Sequence, residues 1–242
     1  MRIVLVAAFA LAVLQAQALP SSEENSLHDY VGVYMWDRNA FVYFQLWGEL
    51  SGTKQLVAFD ESGELHSLYP GERDQFTAGP AAAVQSPAES RIVFQRDSSG
   101  KVVSLTWQRE SAPPRAARRA DTEKREDVHF SNGQIRLGGT LIRPNTPGKH
   151  PALILVHASG AEDREYLLPL AHFLVRRGVA VLGYDKRGVG ESTGDWKTAS
   201  FEDLAGDVVA AFEFLKKCSD IDAKQIGILG WSQAGWVMPL CP

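Results

Sequence analysis

From residue 126 onward the chain alternates two hydrophobic patterns, and this alternation limits its fold more than any other feature of the sequence. Residues 151–156, 179–185 and 225–230 are short, nearly continuous apolar runs. A run of that length suits a strand covered on both faces, because neither set of alternating side chains then meets water. Between the first two runs, Leu167, Leu170, Leu174 and Val175 recur at helical spacing, and Gly178 ends the pattern. Between the second and third, Phe201, Leu204, Val208, Phe212 and Leu215 share one helical face, and Ser200 with Asp203 forms a capping-box pair at its start. Strand, helix, strand, helix, strand predicts an α/β unit: a mostly parallel sheet with helices on both faces. Residues 128–130 and 135–144, on either side of Asn132-Gly133, read as a hairpin leading into it.

The front of the chain has a different grammar. Val31, Val33 and Met35 alternate with Gly32 and Tyr34. Residues 41–44 lead to Trp47, residues 55–59 run into a turn at 60–63, and 91–96 and 101–108 flank Asp97-Ser98-Ser99-Gly100. Short β-forming stretches between Gly, Asp and Ser turns predict a small antiparallel β domain over 22–110, its aromatic residues forming the core. Residues 111–125 hold Pro113, Pro114, Arg115, Arg118 and Arg119 with few large apolar side chains, so a solvated linker is expected there. The remaining unit runs over 126–242.

The first residues read as an address. Arg2 precedes an apolar stretch over 3–14, and Ala16 and Ala18 supply small residues before a cut at Leu19. That is the pattern of a secretory signal peptide over 1–18. The apolar stretch is short of the ~20 residues that span ~30 Å of hydrocarbon. The expectation is a secreted or periplasmic protein with no stable membrane insertion after cleavage. A net charge of −4 without a long basic run gives no footing for nucleic acid. Cys218 and Cys241, the two cysteines, define neither a disulfide framework nor a metal pair, and Cys218 reads as a small buried hydrophobe.

The chemistry gathers where the apolar runs end. After the last run comes Gly230-Trp231-Ser232-Gln233-Ala234-Gly235. A serine on a sharp strand-to-helix turn needs small neighbours two residues away, and Gly230 and Ala234 supply them. This segment resembles the G-x-S-x-G nucleophile elbow of the α/β-hydrolase superfamily. His157-Ala158-Ser159-Gly160, after the first run, resembles that family's H-G-x-G loop. The segment from Asp185 through Lys186, Arg187, Gly188 and Gly190 to Ser192 resembles its D-x-R-G-x-G-x-S loop. Within the superfamily the chain is similar to secreted bacterial esterases and related serine peptidases of the prolyl oligopeptidase or serine aminopeptidase-like branch. Residues 139–144 fit that branch, and Phe94, Asp97, Gly100 and Leu105 resemble the small β domains some of its secreted members carry.

The resemblance implies a nucleophile at Ser232 and an oxyanion hole made by the backbone N–H groups of Ser159 and Gln233. It implies loop-holding roles for Asp185, Arg187 and His157, and no metal or organic cofactor. The family orders its triad as serine, acid, histidine. Here all six histidines precede Ser232 and ten residues follow it, so the expectation is a partial, C-terminally truncated hydrolase fold, inactive as it stands. The favoured function is carboxylic-ester hydrolysis of a small molecule through an acyl-enzyme. The alternatives are a serine peptidase acting on short peptides, and a degenerate, non-catalytic binding protein. Ala158 and Ala234, standing where the family commonly has glycine, speak for the last.

Overall fold

A computed structural model describes residues 27–37, 40–48, 54–60, 62–110 and 112–241; the leader expected over 1–18 lies outside them. After a 3-10 turn at His28–Tyr30 the chain forms β1 (Gly32–Met35), β2 (Phe41–Trp47), β3 (Gln55–Asp60), β4 (Leu65–Ser67), β5 (Tyr69–Pro70), β6 (Gln75–Ala78), β7 (Ser90–Arg96), β8 (Val102–Arg109) and β9 (Arg115–Ala120). These make a nine-stranded antiparallel sheet in the order β4-β3-β2-β1-β9-β8-β7-β6-β5 among the described residues. Its two edge strands, β4 and β5, are consecutive in the chain and separated by Leu68 alone, whose N–H donates to Leu56 O at 2.9 Å. The sheet therefore curls until it nearly closes, and Tyr34, Phe44, Leu56, Leu68, Ile92 and Leu105 fill its inside. The turn between β7 and β8 follows from its residues: the Asp97 carboxylate accepts the N–H groups of Ser99 and Lys101, and Gly100 takes φ +86°.

Residues 111–125, expected as a solvated linker, include β9 and the start of the next strand. β9 lies between β1 and β8 and pairs with both. Its residues look polar because only Ala117, 1% exposed, faces the core. The Arg119 guanidinium donates to the backbone carbonyls of Asp29, Val31 and Val102, which ties this strand to the start of the sheet.

The second sheet holds β10 (Glu123–Asn132), β11 (Ile135–Pro144), β12 (His150–Val156), β13 (Ala180–Tyr184) and β14 (Ile221–Gly230), in the order β10-β11-β13-β12-β14. Its helices are α1 (Leu168–Val175), α2 (Phe201–Leu215) and the single turn α3 (Ala234–Val237). The expected mostly parallel α/β sheet with helices on both faces is corrected here. The chain is mostly antiparallel β, and this smaller sheet is mixed: β12 pairs in parallel with β13 and β14, whereas β10–β11 and β11–β13 are antiparallel. The reason is the ten-residue hairpin β10–β11, which joins the sheet through β13 and adds two antiparallel ladders. Helical cover is thin. α1 packs on Ile142, Leu155 and Val181, and α2 on Leu141, Ile154 and Leu182. The capping box at the start of α2 is formed, with Asp203 N–H donating to Ser200 Oγ at 3.1 Å and Ser200 N–H to Asp203 Oδ2 at 3.0 Å.

The two sheets meet at α1. Tyr43 on β2 donates its hydroxyl to Pro169 O at 2.7 Å, and its ring lies 4.4 Å from that of His172. Trp47 Nε1 donates to Tyr166 O at 3.3 Å. Among the described residues no helix is long and apolar enough to cross a membrane.

Candidate active site

β12 and β14 run side by side and end together, Val156 opposite Gly230. The chain leaves β14 through a sharp turn in which Ser232 takes φ +56°. Among described non-glycine residues only Asp74 shares a positive φ. A left-handed serine is strained by about 1–3 kcal/mol and persists only where its surroundings over-determine it. Here they do. Ala234 N–H donates to Trp231 O at 3.1 Å and Gly235 N–H to Ser232 O at 2.9 Å, closing the turn into α3. A Cβ on Gly230 would lie 2.5 Å from Val156 O and 2.6 Å from Ala234 Cβ, so residue 230 must lack a side chain and residue 234 must be small. The Ser232 side chain is exposed, and its hydroxyl has no hydrogen-bond partner among the described residues.

The loop after β12 is built from inside. His157 is buried, and its Nε2–H donates to Tyr184 O at 2.5 Å. Burial lowers its pKa to about 4, against the opposing pull of that bond, so the ring is neutral. Ala158 is buried too; its N–H donates to Glu162 Oε2 at 2.7 Å, and its carbonyl accepts from Lys186 Nζ at 2.7 Å. Lys186 Nζ donates a second bond, also 2.7 Å, to Gln233 Oε1. The backbone N–H groups of Ser159 and Gln233 have no acceptor among the described residues.

The loop after β13 is held by charge. Asp185 accepts from Arg164 N–H, Nε and Nη2 and from Glu191 N–H. Burial pushes this carboxyl up, and the Arg164 bonds more than offset it, leaving it below its ordinary value. Arg187 donates to both carboxylate oxygens of Asp207 on α2, at 2.5 and 3.0 Å. The sequence reading singled out Asp185 and Arg187 but missed the side chains that complete the site's frame: Lys186, Glu162, Arg164 and Asp207. The one available signal was three successive ionisable residues directly after a buried strand.

Trp231, 45% exposed, stands beside Ser232, its ring 6.0 Å from that of Tyr166. Since Tyr166 O holds Trp47, the nine-stranded sheet lies two aromatic side chains from the serine. A cleft of about 640 Å³ between the sheets is lined by Gln45, Lys54, Arg125, Arg164 and Glu165 among others, but not by Ser232, Ser159 or Gln233. It is separate from the serine turn, which lies open to solvent. Asp60, Glu64 and His66 could offer three metal-ligand atoms within 4.8 Å of one another. The Asp60 carboxylate there already accepts Ser62 N–H and Oγ and Glu64 N–H, the bonds of an ordinary turn.

Residues 132–240 match the family model described as X-Pro dipeptidyl-peptidase (S15 family). With the relatives below, this supports the α/β-hydrolase superfamily, esterase- or peptidase-like, as the class to which the chain is similar. The quorum-quenching protein AidA of Acinetobacter baumannii is 28% identical over 110 residues, covering 45% of this chain and 36% of AidA. Esterase EstD of Thermotoga maritima is 27% identical over 110 residues, covering 43% of this chain and 26% of the esterase. Among solved structures, the alpha/beta hydrolase GrgF from a Penicillium species is 27% identical with a TM-score of 0.40, covering 44% of this chain and 37% of GrgF. The matched part spans about a third of the length of the curated relatives.

Proposed function

We propose that this chain carries the nucleophile, Ser232, and the oxyanion hole of a serine hydrolase that cleaves small carboxylic esters through an acyl-enzyme, and that without the acid and histidine of a triad it is inactive as it stands. The observation that carries this reading is the left-handed backbone of Ser232 at a strand-to-helix turn, which lifts its hydroxyl clear of other groups. Ser232 Oγ bonds the ester carbonyl carbon, and the carbonyl oxygen, now negative, accepts the free N–H groups of Ser159 and Gln233. The bond to the leaving oxygen then breaks, and the alcohol departs with the proton given up by the serine. Water adds to the acyl-enzyme, releases the acid and restores the hydroxyl. His157, with Nε2 committed to Tyr184 O, holds the loop and does not receive the proton. The S15 family match favours a second reading, in which the acyl group comes from a short peptide and an amine leaves. The apolar run over 3–14 between Arg2 and Ala16 supports export of the protein.

A fluorophosphonate probe tests the nucleophile directly. Its phosphorus bonds Ser232 Oγ and fluoride leaves. The expected result is one adduct on the Ser232 peptide by mass spectrometry, absent in Ser232→Ala at unchanged circular dichroism. In a protein that carries the whole triad, turnover of p-nitrophenyl acetate should fall about 10⁴-fold or more with Ser232→Ala. An adduct elsewhere, or undiminished turnover, removes Ser232 from the role.

A further inference from the structure

A peptide group is planar and trans, so its carbonyl and its N–H point in opposite directions. The carbonyl of Ala158 and the N–H of Ser159 belong to one such group. Whatever grips the first therefore aims the second. Lys186 Nζ grips it, at 2.7 Å, from a side chain only 1% exposed. The same ammonium holds Gln233 Oε1 at 2.7 Å, on the residue whose backbone N–H is the other free donor. We propose that Lys186 is a positioning residue for the oxyanion hole: it fixes the Ala158–Ser159 peptide with its N–H outward and ties that loop to the turn carrying Ser232 and Gln233.

The surroundings are arranged for this. Glu162, buried, accepts the Ala158 N–H at 2.7 Å, and its own carbonyl accepts the Lys186 N–H at 3.1 Å. Both peptide groups flanking Ala158 are thus held, the one before by Glu162 and the one after by Lys186. The face of Trp196 lies 5.1 Å from Nζ and adds a cation–π contact. A buried ammonium is tolerated only where it is paired and hydrogen-bonded, and here both side-chain bonds go to the two loops that flank the serine. Burial pushes this ammonium down from its ordinary value, and the Glu162 charge opposes that. Removing the ammonium leaves the Ala158 carbonyl a buried acceptor without a donor, and reversal of the peptide toward solvent relieves it. The reversed peptide would present a carbonyl where the oxyanion forms.

The inference rests on Ser232 as nucleophile, and the experiment separates the two. Lys186→Met, Lys186→Arg and Gln233→Ala are compared with the wild-type chain by fluorophosphonate labelling rate, by kcat and KM on p-nitrophenyl acetate in a protein that carries the whole triad, and by crystal structure. Loss of one oxyanion donor slows the chemical step about 10²-fold, so Lys186→Met should lose about that factor in labelling rate and kcat, at unchanged KM. Its Ala158–Ser159 peptide should be reversed. Lys186→Arg, which keeps a donor, should recover much of the rate and the original peptide. Labelling of Lys186→Met at the wild-type rate, or an unmoved peptide in its structure, overturns the proposal. If wild type is not labelled, the nucleophile reading fails, and the orientation of the peptide in Lys186→Met still decides for or against Lys186. If Lys186→Met does not fold, Gln233→Ala decides: it removes one charged hydrogen bond and keeps the backbone N–H, so labelling should slow about tenfold, and an unchanged rate overturns the tie between the loops.

Discussion

Acid should destabilise this protein through one buried ring. His157 sits under the loop that follows β12, with the Tyr184 ring edge-on at 4.4 Å and its Nε2–H on the Tyr184 carbonyl. Burial first, and the nearby Lys186 charge after it, lower its pKa from the ordinary 6.5 to about 4. The unfolded chain has no such environment and binds the proton near pH 6.5. Between those two values the unfolded state holds a proton that the folded state refuses, so stability is complete above pH 6.5 and falls as the pH drops toward 4. Each pH unit in that window is worth up to about 1.4 kcal/mol, which gives about 3 kcal/mol across it. His157→Gln keeps an N–H donor for Tyr184 O and removes the titration. Urea unfolding of both proteins, followed by circular dichroism from about pH 7.5 to about pH 4.5, isolates the effect, because every other titrating group is common to the pair. The stability of wild type relative to the variant should fall by about 2–3 kcal/mol over that range. Parallel pH profiles would mean that the folded ring takes up a proton as easily as the unfolded one, and the account of His157 as a neutral buttress would be lost.

Two further outcomes follow from packing. Gly230→Ala would place a methyl 2.5 Å from Val156 O, so urea unfolding should show a loss of about 1–3 kcal/mol; no loss would show that β12 and β14 do not approach so closely. Trypsin should cut after Arg73, whose side chain is 85% exposed in a turn, well before it cuts at Arg115, Arg118 or Arg119 in β9; equal rates at both places would mean that β9 is not held on its two sides.

Much of the serine turn was legible because its constraints are local. Gly230, Ser232 and Ala234 are neighbours, and the need for small residues around a left-handed serine is written within five positions. The Ser200–Asp203 box and the hairpin around Asn132-Gly133 are local in the same sense. The direction of the sheet was not. An apolar run such as 151–156 reports that both faces are covered, and says nothing about which way its neighbour runs; the antiparallel pairing of β11 with β13 is a contact between distant segments. β9 was hidden by composition, since a strand stabilised by ladders on both sides can present arginines and one inward alanine and leave no apolar pattern. Lys186 was hidden by its neighbours. Between Asp185 and Arg187 a lysine reads as part of a solvated charge run, and only the fold turns its ammonium inward onto two other loops.

The place of β9 bears on how the large sheet comes to exist. β1 to β4 and β5 to β8 are two successive meanders, and in the ladder they are joined only through the strand that comes after both. A nascent chain grown as far as residue 110 therefore holds two half-sheets, with β1 and β8 each offering an open edge. Val33 must wait for Ala120, and Leu105 for Ala117, before the halves become one. Assembly should be slow for the size of the unit, because its decisive contacts span most of its length. The interval before β9 arrives is when the chain is most prone to pair with another copy of itself. β9 is the keystone of the large sheet, and the ribosome delivers it last.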